Sequence, residues 1–426
     1  MNKPTDGASL TARVEPTRTP GRWRLAMMVF GPGLVVMLAD TDVGSIITAA
    51  QSGAQWGYHL LPLQLLLIPI LYVVQELTVR LGLITGKGHG ELIRETFGQG
   101  WAWLSVSTLV VACVGALLTE FSGVASVGRL YGVPGSVSLS LAAGFLILVV
   151  WTGSYRRVER VAMLMGGFEL AFFWVAARAH PDAESALAGI RHIPLNDTGY
   201  LYLVAANIGA VIMPWMVFYQ QSAIADKGLR PQALRYARLD TAVGAVVTQL
   251  VMAAVLIAAA ATLGTHPGGP PLDTVEEIAD AMTPYLGAGA GRLIFSIGIL
   301  GAGMVAAIVV SLAAAWGLGE VAGYRRSLQD SPQRAPWFYA VYSLVVAVGA
   351  VVVGLAHDLV ALSVAVEVMN ALLLPLVLGF LFLLGRHALP PEHRLRGGYA
   401  WLVAITIVLT SCLGLYGGLS WLFGGH

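Results

Sequence analysis

Two carboxylates, a glycine and a small hydroxyl interrupt an otherwise apolar stretch near the start of the chain, in the run Gly31-Pro32-Gly33-Leu-Val-Val-Met-Leu-Ala39, then Asp40-Thr41-Asp42-Val43-Gly44-Ser45, then Ile46-Ile47. An Asp at the centre of a membrane helix costs about 2.5–3.5 kcal/mol on insertion scales, so such residues face the interior of a bundle and serve a chemical purpose. A second interruption reads Asn207-Ile-Gly209-Ala210-Val-Ile-Met213-Pro214-Trp215. Pro214 removes a backbone donor and clashes with the carbonyl four residues back, which frees carbonyls near Gly209 and Ala210. Carboxylates, carbonyls and one thioether make an anionic, oxygen-dominated site, and its natural ligand is a small divalent cation. Hard ions such as Mg²⁺ take oxygen and retain water, whereas a Met sulfur favours softer transition metals. Asp42, beside Gly44 where the helix can open, is the first-choice ligand. Asp40 lies two residues away and shares its face only if the segment is unwound; otherwise it widens the negative field and holds outer-shell water.

Four further polar residues lie in apolar runs: Glu120, Glu169, and Glu367 with Asn370. A neutral Glu in a helix–helix hydrogen bond is the alternative to a functional role for each. Glu76 and Arg80, four apart, read as a helical ion pair. No His falls at mid-membrane, so a His relay or zinc site has no support. Met163, Met165, Met216 and Met304 read as packing, and Cys113 and Cys412 as small core residues with neither zinc spacing nor a disulfide framework.

The elements that position these residues follow from composition. Of 426 residues 57% are hydrophobic and 12% charged, about half the charge of a soluble domain, which excludes a cytosolic enzyme. A net charge of +1 removes any bulk electrostatic case for nucleic acid. Spanning helices need about 20 apolar residues. Eleven such runs emerge, near 25–53, 58–84, 101–131, 135–154, 158–179, 199–223, 235–264, 289–320, 336–356, 359–386 and 398–423. The connections are short apart from 180–198 and 265–288, the latter carrying Pro267, Pro270, Pro271 and four carboxylates. The first run is too long for a signal peptide and has no small-residue cleavage site before the next. With the N-terminus inside, 21 of the 25 Lys and Arg fall on the cytoplasmic side, as cytoplasmic loops require. A missed span would swap every later loop, so the count is odd and the C-terminus outside.

Spans 1 and 6 are therefore broken at comparable depths, the mark of an inverted-repeat transporter whose site lies at mid-membrane. The expected fold is an all-α polytopic membrane protein, with a cytoplasmic tail 1–24, a first five-helix repeat 25–179, a second repeat 199–386 and an extra span 398–423.

These residues resemble the natural resistance-associated macrophage protein (NRAMP) family, divalent-metal transporters of eleven or twelve spans with the inverted-repeat fold first seen in amino-acid transporters. The resemblance covers most of the chain. Gly31-Pro32 with Asp42-Val43-Gly44-Ser45 resembles the family's Gly-Pro…Asp-Pro-Gly-Asn. Ala210…Met213-Pro214 resembles its Met-Pro-His, Thr119-Glu120-Phe121 with Gly123 its third span, and Gln75-Glu…Arg80-Leu-Gly82…Thr85-Gly86…Glu91-Leu-Ile-Arg94 the end of its second. The resemblance implies metal ligation by Asp42, Ser45, Met213 and the Ala210 carbonyl; Asp40, Gly209, Glu120 and Glu367 are expected in the outer shell or pathway from their own positions.

The departures point to a branch. Ser45 stands for Asn and Val43 for Pro, Asp40 for a usual aromatic, Trp215 and Gln220 for the span 6 His residues, Leu117 for an Asp and Glu367 for a Gln, and span 9 has no Arg. Most proton-handling groups are missing while the site has gained negative charge, which resembles the NRAMP-related magnesium transporters, a branch said to carry Mg²⁺ and Mn²⁺ without proton coupling. The ion gradient and membrane potential, about 2.3 kcal/mol per charge per 100 mV, can drive such uptake. Met213 argues instead for Mn²⁺ or Fe²⁺. The expectation is an inner-membrane Mg²⁺ or Mn²⁺ uptake transporter in a lipid bilayer, with no cofactor beyond the transported ion, no nucleic acid and no obligatory protein partner. The alternatives are a proton-coupled Mn²⁺/Fe²⁺ symporter and a sodium-coupled amino-acid transporter of the same fold. An intramembrane enzyme lacks its motifs, since the chain has no His-Glu-x-x-His and no Gly-x-Gly-Asp.

Overall fold

The computed structural model describes residues 31–423 apart from 192, 265–268, 270, 283–287 and 356–358. The basic tail, Pro267 and Pro270 lie outside the described residues. Helices dominate because hydrocarbon offers a backbone no partner, so each N–H and C=O must be satisfied within its own segment.

Helices α1 (Pro32–Asp40) and α2 (Val43–Trp56) form the first span, bent by 46° at the intervening pair. There follow α3 (Leu61–Thr85), a short α4 (His89–Phe97), α5 (Gln99–Leu130) and α6 (Gly135–Trp151). The fifth span joins α7 (Tyr155–Gly166) to α8 (Ala171–Arg178) through one tight turn. A surface helix α9 (Ala183–Arg191) precedes α10 (Thr198–Val211) and α11 (Pro214–Asp226), the two halves of span 6. The remaining elements are α12 (Leu234–Leu263), α13 (Val275–Met282), α14 (Ala288–Ala322), α15 (Pro336–Leu355), α16 (Leu359–His387) and α17 (Gly397–Phe423). Each of the eleven apolar runs has its helix or broken pair. Helices α4, α9 and α13 are additions, too short and polar to register as spans.

The broken spans lie at the centre. Helix α12 packs along α2 and α3, α14 along α5, and α10 between α16 and α17. Helices α6, α15 and α17 turn apolar faces outward, with Leu141, Leu148, Leu344, Trp401 and Ile405 all more than half exposed. That outward face suits lipid, which is as apolar as Leu. Cys113 is buried, but Cys412 lies on the exposed face of α17, contrary to its reading as a core residue. Hydropathy cannot separate the two environments because both are apolar.

Charged loops meet at one end of the bundle. Glu76 accepts bidentate hydrogen bonds from Arg80 and pairs with Arg238, and the Tyr399 hydroxyl donates to it at 2.8 Å. The expected ion pair is thus the centre of a four-residue network joining spans 2, 7 and 11. Lys227 pairs with Glu159 at 2.6 Å and Arg326 with Glu91. These partners belong to the loops expected on one common side. At the opposite end Arg129 faces Glu276 and Arg292 faces Asp280. His89, the first residue of α4, is wholly enclosed, and burial pushes its imidazole down to about 4, so it is neutral and its Nδ1–H donates to Gln221.

One contact holds the first half of span 1 in place. Asp240, on α12, accepts from the backbone N–H groups of Gly33 at 2.9 Å and Leu34 at 3.2 Å, supplying in trans the cap that Gly31 cannot. Asp240→Ala is expected to cost about 1 kcal/mol locally, the value of a helix cap. Amide exchange at Gly33 and Leu34 should then run roughly fivefold faster, while exchange in α2 is unchanged.

Candidate metal site

The site grows from two local interruptions. At the first, Asp42 is extended (φ −79°, ψ 175°) and caps α2, its Oδ1 accepting from Ser45 N at 2.7 Å. Asp followed three residues later by a free helical N–H is the arrangement an N-cap needs. Only one carboxylate oxygen is used, and Oδ2 is buried without a protein partner.

At the second, α10 ends at Val211 and Met213 (φ −94°, ψ 141°) starts α11, with Pro214 in its first turn. A Pro there needs no N–H and has the helical φ already set. Ala210, four residues before Pro214, keeps a carbonyl that no helical N–H reaches, and the Ser45 hydroxyl donates to it at 2.9 Å. The two interruptions are thereby joined: Asp42, Ser45 and the Ala210 carbonyl form one continuous polar contact, with Met213 at the start of the adjoining helix. All four residues are at most 1% exposed. The Trp215 indole N–H donates to the Met213 sulfur at 3.1 Å, which engages one lone pair of the thioether and leaves the other.

Two acids flank the first turn of α2. Glu120 accepts from Val43 N at 3.2 Å and from the Thr119 hydroxyl at 3.1 Å. Glu367 accepts from the Asn370 amide at 3.0 Å, while its Oε1 and the Asn370 Oδ1 are buried without partners. Gly44 makes the approach possible, since a Cβ there would sit 2.3 Å from Glu367 Oε1. Glu120 and Glu367 thus touch the backbone turn that presents Asp42. Gly209 lies directly against span 10, where a Cβ would meet the Glu367 carbonyl oxygen at 1.7 Å; its contact is with a helix backbone.

Asp40 ends α1 and faces Thr248 and Gln249 of α12, within electrostatic reach of Asp42 and Glu367. Among the described residues no three His, Cys, Asp or Glu side chains converge as a metal-binding group; the Asp42 carboxyl lies against that of Glu120, with Glu367 in electrostatic reach. Two contributors carried no role in the sequence reading: Trp215, noted only as a departure, and Thr119, noted only as part of a motif, whose hydroxyl donates to its own chain neighbour Glu120.

Comparison with known proteins agrees with this architecture. The natural resistance-associated macrophage protein-like (Nramp) family model matches residues 33–420. A curated relative from Acidiphilium cryptum, named divalent metal cation transporter MntH, is 27% identical over 418 residues, covering 91% of this chain and 89% of its own. The MntH of Brucella suis biovar 1 is 26% identical over 310 residues, 70% of this chain and 67% of the relative. Among solved structures, the Eremococcus coleocola manganese transporter superposes with a TM-score of 0.73 at 18% identity, covering 99% of this chain and 93% of that one. That likeness establishes the fold, an all-helical inverted-repeat membrane protein with spans 1 and 6 broken. The chain belongs to the Nramp family, and it is a multi-pass membrane transporter, not an enzyme.

Proposed function

We propose that this chain carries a divalent metal cation across the inner membrane by alternating access, the ion resting on Asp42, Ser45, the Ala210 carbonyl and Met213. The observation that carries this reading is the free Asp42 Oδ2, buried where the Ser45 hydroxyl bridges to the Ala210 carbonyl. A deprotonated carboxylate in that position needs a cation, because a buried unpaired charge costs several kcal/mol. Unwound carbonyls beside it replace water of hydration, as in other broken-helix transporters. The relatives named above as divalent metal cation transporters support the ion's charge class.

Mg²⁺ and Mn²⁺ are the proposed substrates, taken up without proton coupling. The first half 25–179 and second half 199–386 act as the two repeats, with the N-terminus cytoplasmic and the C-terminus outside. Glu120 and Glu367 hold the turn that presents Asp42 and add negative field, and Asp40 extends that field. The absence of Arg from span 9 and of His at Trp215 and Gln220 is what favours uncoupled transport.

A second reading, a proton-coupled Mn²⁺/Fe²⁺ symporter, is favoured by one observation: a buried thioether at Met213, which a site for Mg²⁺ alone would not need. Flux in proteoliposomes separates the two. Uncoupled transport predicts Mg²⁺ and Mn²⁺ entry with constant luminal pH and dependence on membrane potential. Luminal acidification in step with Mn²⁺ entry, together with no Mg²⁺ flux, would establish the symporter instead.

A further inference from the structure

The break in span 1 has a second polar side. Thr41, the residue between the two aspartates, faces α12, where its hydroxyl hydrogen-bonds the Thr248 hydroxyl at 2.5 Å. Asp40 faces Thr248 and the next residue, Gln249. Glu169, in the tight turn that divides span 5, faces Thr41, with Asp42 and Asp40 beyond it. The three spans pack on one another here, α1 against α7 and α12, and α12 against α8. All five side chains are at most 1% exposed.

What distinguishes this cluster is the number of buried atoms left without a hydrogen bond. Both oxygens of Asp40, both oxygens of Glu169, and both the oxygen and the nitrogen of Gln249 have no protein partner. Buried polar side chains in native proteins are nearly always satisfied, and a group of orphans in one place calls for an unseen partner. Gln249 carries most weight, since both polar atoms of its carboxamide, beside Asp40, are among these orphans. Among the described residues no Lys, Arg or His faces Asp40 or Glu169, and the charged groups nearest them, Asp42 and Glu367, are acids as well.

We propose that Asp40, Thr41, Glu169, Thr248 and Gln249 form a second cation site, distinct from the one at Asp42 and specific for a hard, oxygen-preferring cation. The donor set is two carboxylates, two hydroxyls and one amide oxygen, with no sulfur or imidazole. Hard cations such as Mg²⁺, Ca²⁺ or Na⁺ prefer such a set, and the softer transition metals that a thioether attracts gain nothing from it. Because Asp40 and Asp42 sit at the two ends of one unwound link, a cation on the Asp40 side fixes the geometry of the link that presents Asp42. The cation is either the transported divalent ion at a waypoint or a separate coupling ion such as Na⁺, and both share this chemistry.

The test removes the first site and asks whether an ion remains. Purified Asp42→Asn protein in choline-based buffer is dialysed against Mg²⁺ in one arm and Na⁺ in the other, and bound metal is counted by elemental mass spectrometry. One equivalent of Mg²⁺ or of Na⁺ is expected to stay bound, and the arm in which it does identifies the source. Adding Glu169→Gln to the same background should weaken that binding at least about tenfold, the usual effect of losing a ligand or its support. Thr248→Val, which exchanges only a hydroxyl for a methyl, should weaken it in the same direction and guards against misfolding of the first variant. No bound ion in either arm, or binding undiminished in both variants, overturns the proposal. The outcome is independent of the Asp42 assignment, whose failure would appear as transport surviving Asp42→Asn.

Discussion

Asp42→Asn is expected to abolish metal flux while leaving the fold intact. Asn is as good an N-cap as Asp, so the hydrogen bond to Ser45 N and the start of α2 persist. What disappears is the negative charge on the one free oxygen at the junction of the broken helices. Removing one partner from a buried charge pair costs about 3–5 kcal/mol, on the order of a hundredfold or more in affinity. Thermal unfolding without metal should match the parent protein, and the stabilisation that Mn²⁺ gives the parent should largely vanish. Ion binding stabilises by RT ln(1 + [L]/Kd), so a hundredfold loss of affinity cuts that stabilisation from about 2.7 to about 0.4 kcal/mol at a concentration 100 times the parent Kd. Proteoliposome flux unchanged in Asp42→Asn would remove Asp42 from the site.

Gly209→Ala is expected to have the largest effect on stability. The added Cβ would lie 1.7 Å from the Glu367 carbonyl oxygen and 2.9 Å from Ala371 N. Both are backbone atoms of α16, and they cannot rotate away as a side-chain end would. Overpacking of this kind costs about 1–3 kcal/mol when neighbours can shift, and the upper end applies where two backbones already touch. The substitution keeps the Gly209 carbonyl, so it also separates two roles. If Gly209 serves helix contact, the unfolding temperature falls and flux falls with it. A variant of parental stability would refute the close contact between spans 6 and 10.

The residues that carry the site were legible because charge is scarce in this chain. Asp40, Asp42, Glu120, Glu169 and Glu367 stand out within apolar runs, and Pro214 marks a broken helix by its missing N–H alone. The order of the helical runs followed from the 20-residue length scale of the bilayer, and among the described residues nine helices and one bent pair reach it, with Gly135–Trp151 an apolar helix of 17 residues. Less visible was Asp240. It lies near the start of an apolar run among several charged residues, and nothing local marks it as the cap of a helix more than 200 residues earlier. Cys412 misled for a related reason, since lipid-facing and core positions have the same hydropathy.

The sequence by itself determined the membrane class, the eleven helical runs, the two broken spans and the residue types of the site, because these depend on local backbone chemistry and on the cost of placing charge in hydrocarbon. Only the tertiary structure decided which polar groups meet. It turned Asp42 toward Ser45 N and Glu120, Ser45 toward the Ala210 carbonyl, and Asp40 toward Thr248 and Gln249. Two residues apart, the aspartates could have served one site or two. The physical reason lies in the turn at Thr41 and Asp42, where the backbone leaves the helix and the helical relation between side chains ends, so direction is set by the neighbouring spans and not by spacing.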